Sequence, residues 1–291
     1  MNKKIKKVII PAAGWGTRFL PLTKVVHKEL VPVLNKPIIH YLVEEAVASG
    51  IEEVILVISP RKLEILKYFN TNLELEHQLR KAGKVELLHK VEATNKLAKI
   101  TIAIQNEQLG LGHAIFMAAD ITEDEPFGVI LGDDLIKSDT PALKQLIDVY
   151  DKTNSSVLGV QSIPKKHINK YGVMIPKNPE DADKELFAIK GAVEKPSIGK
   201  EPSDKAILGR YIFTPELMPL LRKLKPGVGN EINVVDAFEK LMAKGQDIYA
   251  FTFKGTRYDL GSIDGFVKAT IDHALEDPTI KESILEYIKT K

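Results

Sequence analysis

KVIIPAAGWGTRFLPLTKVVHKEL, Lys7 to Leu30, is the stretch on which the reading of this chain turns. Lys7 to Pro11 is a short apolar run and predicts a buried strand. It passes directly into a loop of small residues, Ala12-Ala13-Gly14-Trp15-Gly16-Thr17. From Lys36 the period becomes helical. Pro37 suits a first helical position, and Ile38, Ile39, Leu42, Val43, Ala46 and Val47 recur at helical spacing before Gly50. Glu53 to Ser59, EVILVIS, reads as a second buried strand. Strand, helix, strand at this spacing is a βαβ unit, which implies a parallel sheet.

Further along, the same alternation repeats. Arg61 to Phe69 is helical in pattern, and residues 72–98 are charged, helical in period and poor in breakers. Ile100 to Ile104 predicts a strand and Gly112 to Ala119 a helix. Phe127 to Leu131 predicts a strand that ends in Gly132-Asp133-Asp134. A helix at Pro141 to Asp151 and a strand at Ser156 to Gln161 follow. The expected fold class is a doubly wound, mostly parallel α/β sheet. After about residue 162 the rhythm changes to short strands at Gly172–Ile175, Leu186–Ile189 and Ala206–Phe213, separated by Pro-, Lys- and Gly-rich loops. Met218–Leu224 and Asn233–Lys244 read as helices, Asp247–Phe253 as a strand, and the tail from Asp264 as largely helical. There is no internal repeat and no low-complexity tract.

Composition removes several classes. Of 291 residues, 44% are hydrophobic and 27% charged, ordinary for a globular chain with a sizeable core. A net charge of +2 gives no reason to expect nucleic acid or a membrane surface as partner. With no cysteine, disulfides, thiolate nucleophiles and Cys-ligated zinc are excluded. The basic start imitates a signal peptide, but the apolar run from Val8 to Ala13 meets Gly14 too soon for one. No stretch approaches the ~20 apolar residues of a transmembrane helix, so a cytoplasmic location is the default expectation.

The loop after the first strand is built for close approach. Successive backbone N–H groups of small residues can cradle phosphate oxygens. It is not a dinucleotide fingerprint, since that would need glycine at Phe19, and the P-loop pattern is absent. Arg18, Lys24 and Lys28 follow it, able to grip phosphates as a bidentate fork or as point charges. A turn with solvated charges is the competing reading. Asp133 and Asp134 sit at the carboxyl end of a predicted strand, where doubly wound sheets bind ligands. A carboxylate there can hold Mg²⁺ together with substrate phosphates. For Asp133 the metal reading is preferred. For Asp134, close to a helix signal, a cap or Asx turn is preferred. Asp259, in Arg257-Tyr258-Asp259-Leu260-Gly261, is a second metal candidate.

The stretch GWGTRFLPLTKVVHKEL resembles the G-x-G-T-R-x-x-P-x-T-K-x-x-P-K-E signature of bacterial sugar-nucleotide pyrophosphorylases, most closely the UTP–glucose-1-phosphate uridylyltransferase family. Gln105 to Ala114 resembles that family's Q-x-x-x-x-G-L-G-H-A. Leu131-Gly132-Asp133-Asp134, Tyr171-Gly172-Val173, Val193-Glu194-Lys195-Pro196, Leu208-Gly209-Arg210-Tyr211 and Tyr258-Asp259-Leu260-Gly261 match in order and spacing. The resemblance implies a Rossmann-like nucleotide-diphospho-sugar transferase fold in a single domain. A nucleotide-binding half would run to about residue 162, a sugar-binding half over about 163–263, and a helical tail over about 264–291. It implies UTP and glucose 1-phosphate as substrates, UDP-glucose and pyrophosphate as products, Mg²⁺ as cofactor, and a homodimer or homotetramer. By the same resemblance Ala12, Ala13, Gly14 and Gly16 line the nucleotide, and Gln105 and Gly110 hydrogen-bond the uracil edge. Arg18 and Lys28 face the triphosphate, and Asp133 and Asp259 bind Mg²⁺. Gly172, Glu194 and Gly209 contact the sugar, and Lys195 holds its phosphate. His113 is expected to be structural.

Some positions depart from the pattern. His27 stands where proline is usual, Asn35 for aspartate, Ile104 for arginine and Ile263 for lysine. Gly229 to Ala237 keeps Glu231 and Asp236 but carries Asn233 for glutamine and Val235 for threonine. If that segment touches the sugar or a subunit interface, sugar preference or assembly would differ. The alternatives are dTTP or another hexose 1-phosphate as substrate, a weakly active paralogue that regulates a true enzyme, and a plain nucleotide-binding domain. The last leaves the motifs after residue 162 unexplained.

Overall fold

The computed structural model describes residues 3–291. β1 (Lys7–Pro11) lies where the apolar run predicts it. Three short 3-10 turns and a two-residue ladder, β2 (Pro32–Val33) with β3 (Lys36–Pro37), lead to α1 (Ile38–Ala48). Pro37 does not open the helix as expected. It is extended, at ψ 155°, and caps α1 from outside, where the N–H it lacks would have had no partner within the helix. β4 (Glu53–Ile58) pairs parallel with β1 and completes the predicted βαβ unit. Val54 to Ile58 are wholly buried, as a strand covered on both faces requires.

α2 (Ile65–Phe69) is short. The single helical run expected over 72–98 is two helices, α3 (Leu73–Lys81) and α4 (Val85–Asn95), packed on each other. Gly83, at φ 67°, turns the chain between them, a backbone state that side chains with a Cβ resist. β5 (Lys99–Ile104) adds to β4 in parallel. α5 (Leu111–Phe116) and α6 (Ala119–Thr122) replace the one helix expected at 112–119. β6 (Phe127–Ile130) pairs with the other side of β1. After β7 (Asp134–Lys137) and α7 (Ala142–Thr153) come β8 (Ser156–Ser162), β9 (Gly172–Pro176), β10 (Leu186–Glu194) and β11 (Lys205–Phe213). α8 (Leu217–Leu221) follows. The helix expected at Asn233–Lys244 is a 3-10 turn at Val234–Ala237 that runs into α9 (Phe238–Met242). β12 (Ile248–Thr252), β13 (Thr256–Asp259), α10 (Ile263–Ala274) and α11 (Lys281–Lys289) complete the order.

The main sheet has nine strands in the order β5-β4-β1-β6-β11-β8-β12-β10-β9. β11 and β10 run against the other strands. Strands from both sides of residue 162 therefore share one sheet, with β11 inserted between β6 and β8. Period-2 alternation sends neighbouring side chains to opposite faces. Val8 and Ile10 pack with α1 and α7, and Ile9 packs with α5, α8 and α9. Arg210, on β11, is fully buried and pins three elements. Its Nε and Nη2 donate to the two Glu45 carboxylate oxygens of α1 at 2.9 and 2.6 Å, and Glu45 also accepts from the Leu143 N–H of α7 at 3.1 Å.

β7 and β13 form a separate antiparallel ribbon with Asp134 opposite Asp259. Neither strand was expected, because each is only four residues long and carries charged residues among its apolar ones. Among the described residues no helix is long and apolar enough to cross a membrane.

Candidate active site

Ala12 and Ala13 are buried at the carboxyl end of β1, and the Ala12 N–H donates to the Val57 carbonyl at 2.8 Å. The base of this loop is fixed by an ion pair that sequence reading missed. Lys62, only 2% exposed, donates to the Ala12 carbonyl and to both oxygens of the equally buried Glu29, each at 2.8 Å. Burial pushes the Lys62 pKa down and Glu29 opposes the shift. Glu29 directly follows Lys28, so one pair holds both the loop and the turn that carries the cation. The Thr23 hydroxyl donates to the Gly16 carbonyl at 2.8 Å. Gly14, Gly16, Arg18, Lys28, Leu111 and Glu231 line a cavity of about 550 Å³. Lys24 is exposed and lines no part of it.

Gln105 lies buried at the end of β5, its N–H donating to the Ile58 carbonyl at 2.8 Å. Its side-chain amide reaches the Gly110 carbonyl at 3.4 Å and His113 Nδ1 at 3.0 Å. Gln105 and Gly110 are thus neighbours, and His113 holds the Gln105 amide in place. The altered segment lies against this loop. The Ile232 N–H donates to the Leu109 carbonyl at 2.7 Å, and the Ile232 carbonyl accepts from the Gly112 N–H at 2.8 Å. That strap brings Glu231 to the cavity wall, a placement the sequence did not signal.

Asp133 is where the two sides of the site meet. Lys28 Nζ lies 3.4 Å from its Oδ2. Its backbone carbonyl accepts from the Leu260 N–H at 2.7 Å, which ties β6's end to the turn after β13. In that turn the Gly261 N–H donates to Asp259 Oδ1 at 2.9 Å, and Arg18 Nη1 donates to the Gly261 carbonyl at 3.3 Å. A Cβ on Gly261 would sit 2.5 Å from Arg18 Nη1, 2.9 Å from Asp259 Oδ1 and 3.3 Å from Asp133 Oδ2. Only glycine lets these three groups close over it. Burial pushes the Asp133 carboxyl up, but Lys28, Arg18 and Arg257 outweigh it and hold the group below the usual carboxylate range. Among the described residues no cluster of three or more His, Cys, Asp or Glu is disposed around a point. Two converging carboxylates fit Mg²⁺ nonetheless, which takes one or two plus water and substrate phosphate.

On the far side of Asp133 a cavity of about 580 Å³ is lined by Tyr171, Lys195, Gly209, Arg257 and Asp259, and again by Arg18, Asp133 and Gly261. Gly172 stands opposite Glu194 in the β9–β10 ladder. Lys195 is held by its N–H to the Tyr171 carbonyl at 3.0 Å, and its Nζ lies 3.4 Å from Glu194 Oε1. A Cβ on Gly172 would lie 3.0 Å from Glu194 Oε2 and 3.6 Å from Val235 Cγ2, so Val235 borders this side. Gly209 packs on Asp134.

Asp134 is not the cap or Asx turn that was expected. It opens β7, buried, and Arg257 Nε and Nη2 both reach its Oδ1 at 2.5 Å. The helix signal that suggested a cap belongs to α7, which begins eight residues further on. Burial pushes the Asp134 carboxyl up to about 6, Arg257 pulling it back and the Asp133 charge adding to the rise. Arg257 also donates to the Tyr171 hydroxyl at 3.1 Å and lies 5.1 Å from that ring's centre. The sequence pattern alone does not mark Arg257 and Tyr171 as site residues. Arg257 precedes Asp259 by two, so on a strand they share a face. The signal is masked because β13 is only four residues long and mixes charged with apolar residues.

The structure therefore brings Arg18, Lys28, Asp133, Asp259, Lys195 and Gly209 around two adjoining cavities. The arrangement suits two anionic substrates meeting at one carboxylate, with cations on both sides and, among the described residues that line the cavities, no nucleophile–base pair. This is the architecture of a nucleotidyl transferase. Residues 7–275 match the family described as nucleotidyl transferase. A UTP–glucose-1-phosphate uridylyltransferase of Staphylococcus epidermidis is 49% identical over 287 residues, covering 99% of this chain and 98% of the relative. A solved UDP-glucose pyrophosphorylase complexed with UDP-glucose superposes with a TM-score of 0.81 at 37% identity, covering 92% of this chain and 98% of that one. A UTP-bound UDP-glucose pyrophosphorylase (UGPase) from Acinetobacter baumannii gives 0.89 at 33% identity, covering 98% of each chain. The chain belongs to the UTP–glucose-1-phosphate uridylyltransferase family.

Proposed function

We propose that this chain couples UTP to glucose 1-phosphate, releasing pyrophosphate and forming UDP-glucose. The observation that carries the reading is the pair of cavities that share Arg18, Asp133 and Gly261. One is walled by the glycine loop and Lys28, the other by Lys195, Gly209 and the Tyr171–Arg257 pair. UTP occupies the first, with its base toward Gln105 and Gly110. Glucose 1-phosphate occupies the second, with its hydroxyls toward Gly172, Glu194 and Gly209 and its phosphate on Lys195.

A sugar phosphate is largely dianionic near neutral pH, its second pKa being about 6, so it attacks without a general base. The difficulty is bringing two polyanions together. Arg18 and Lys28 offset charge on the α-phosphate, and Lys195 holds the attacking phosphate in line. Asp133 and Asp259 would hold Mg²⁺, which when bound stabilises negative charge on the phosphate oxygens. The same reading takes the enzyme as cytoplasmic and homo-oligomeric. The exposed apolar residues Ile263, Val267 and Ile271 along α10 offer a face for association.

The test is pyrophosphate release with Mg²⁺ across UTP, dTTP, ATP and GTP against glucose, galactose and N-acetylglucosamine 1-phosphates. Release confined to UTP with glucose 1-phosphate supports the reading. Release with another pair keeps the mechanism and moves the specificity, and silence across the grid overturns both.

A further inference from the structure

The nucleotide loop carries the sequence's single tryptophan, Trp15, set between Gly14 and Gly16. Both glycines line the nucleotide-side cavity. Trp15 is 65% exposed, and what covers its ring is a cation: the Arg61 guanidinium carbon lies 3.0 Å from the ring centre. Arg61 makes no ion pair among the described residues. The carboxylate with the main influence on it is Glu29, which is already held by both Lys62 contacts at 2.8 Å. Arg61 sits in the 3-10 turn Pro60–Lys62, and its neighbour Lys62 donates to the Ala12 carbonyl. Its backbone is thereby fastened to the base of the loop that receives the nucleotide, while its own charge has no acidic partner.

A guanidinium on an exposed ring is held weakly, whereas its fork matches phosphate oxygens in two parallel charge-assisted hydrogen bonds. We propose that Arg61 is a further triphosphate-binding residue, parked on Trp15 between turnovers and passed to the β- and γ-phosphates when the nucleotide binds. The inference rests on the proposed nucleotidyl transfer. In that reaction a sugar-phosphate oxygen bonds to the α-phosphorus. The bond from the α-phosphorus to the bridging oxygen breaks, and its electron pair leaves with pyrophosphate. Arg61 would offset charge on that leaving group. Trp15 is then a built-in reporter, because loss of the stack changes its emission.

The experiment combines Trp15 fluorescence with kinetics on the full chain. Wild-type protein and Arg61→Ala are titrated with inorganic pyrophosphate, UTP, UMP and uridine. Pyrophosphate and UTP are expected to shift wild-type emission, with UMP and uridine having much less effect, and Arg61→Ala is expected to lose the pyrophosphate response. In turnover, Arg61→Ala should raise KM for UTP about tenfold, leave KM for glucose 1-phosphate within about twofold, and be partly rescued by Arg61→Lys. An unchanged KM for UTP, or a pyrophosphate response as large in Arg61→Ala as in wild type, overturns the proposal. If wild-type protein releases no pyrophosphate, the functional reading fails, yet the pyrophosphate titration still decides the role of Arg61.

Discussion

The two cavities on either side of Asp133 are built in different ways. The side proposed for the nucleotide comes mostly from one continuous segment, Gly14 to Lys28, with Leu111 from the start of α5. Three of its lining residues are glycines, Gly14, Gly16 and Gly261, and it is locked by the buried Lys62–Glu29 pair. The side proposed for the sugar is assembled from separate stretches around Tyr171, Lys195, Gly209 and Arg257–Ser262. It is held by a side-chain network, Asp134–Arg257–Tyr171, whose members lie 123 and 86 residues apart in sequence. A site made of local backbone needs glycines and small residues in a row. A site made of distant side chains needs the sheet to be closed first. The difference also implies that substitutions confined to one cavity act on one substrate, whereas the shared centre affects both.

The largest expected effect tests that shared centre. Asp133→Ala should lower kcat by about 10²–10³ with Mg²⁺ present, because the carboxylate faces both cavities. Thermal unfolding should move little, since Asp133 is only half-buried. Near-normal pyrophosphate release would remove Asp133 from the metal site and dissolve the picture of two cavities joined there.

Next comes the lock on the nucleotide side. Lys62→Met leaves the Glu29 carboxylate buried and alone, which should cost about 3–5 kcal/mol in urea unfolding. Lys62→Met combined with Glu29→Gln should recover much of that loss. If the double variant were as unstable as the single one, the pair would not be what anchors the loop.

Lys195→Ala sharpens the contrast between the sides. It should raise KM for glucose 1-phosphate about tenfold, the worth of one charge-assisted hydrogen bond, while KM for UTP stays within about twofold. Equal shifts in both constants would mean that Lys195 serves the shared centre and not the sugar side.

The smallest effect is a control remote from both cavities. Glu44 in α1 meets His40 Nε2 at 2.9 Å and Lys36 Nζ at 2.7 Å. Burial pushes its carboxyl up, but those two partners outweigh it and bring the pKa to about 2 from 4.5. A depressed folded pKa gives stability that is present above about pH 4.5 and is lost as pH falls toward 2. Glu44→Gln should flatten this acid limb slightly, since the side chain is partly exposed, and leave both KM values alone. An acid limb as steep in Glu44→Gln as in wild type would assign the pH dependence to other carboxylates.

The departures from the family pattern divide along the same line. Val235 borders Gly172 on the sugar side, while its near neighbours Glu231 and Ile232 strap the Leu109–Gly112 loop on the nucleotide side. Ile263 is 64% exposed at the start of α10 and lines neither cavity. Asn35 lies near Lys36 and His40, at a different surface pocket.

By itself the sequence determined the βαβ start, the alternation that makes the sheet, and the glycine loop with Arg18 and Lys28. These depend on periodicity and on residues adjacent in the chain, and local backbone chemistry expresses both. It also placed Asp133, because a carboxylate closing an apolar strand marks the sheet's ligand-binding edge. Long-range packing sets the rest: β11 enters the sheet between β6 and β8, and Asp134 serves Arg257 instead of capping a helix. The same is true of Lys62 and Glu29, which lie 33 residues apart and meet under Ala12. Buried charges find partners wherever folding brings them, and no local period records which carboxylate will meet which cation once water has been excluded.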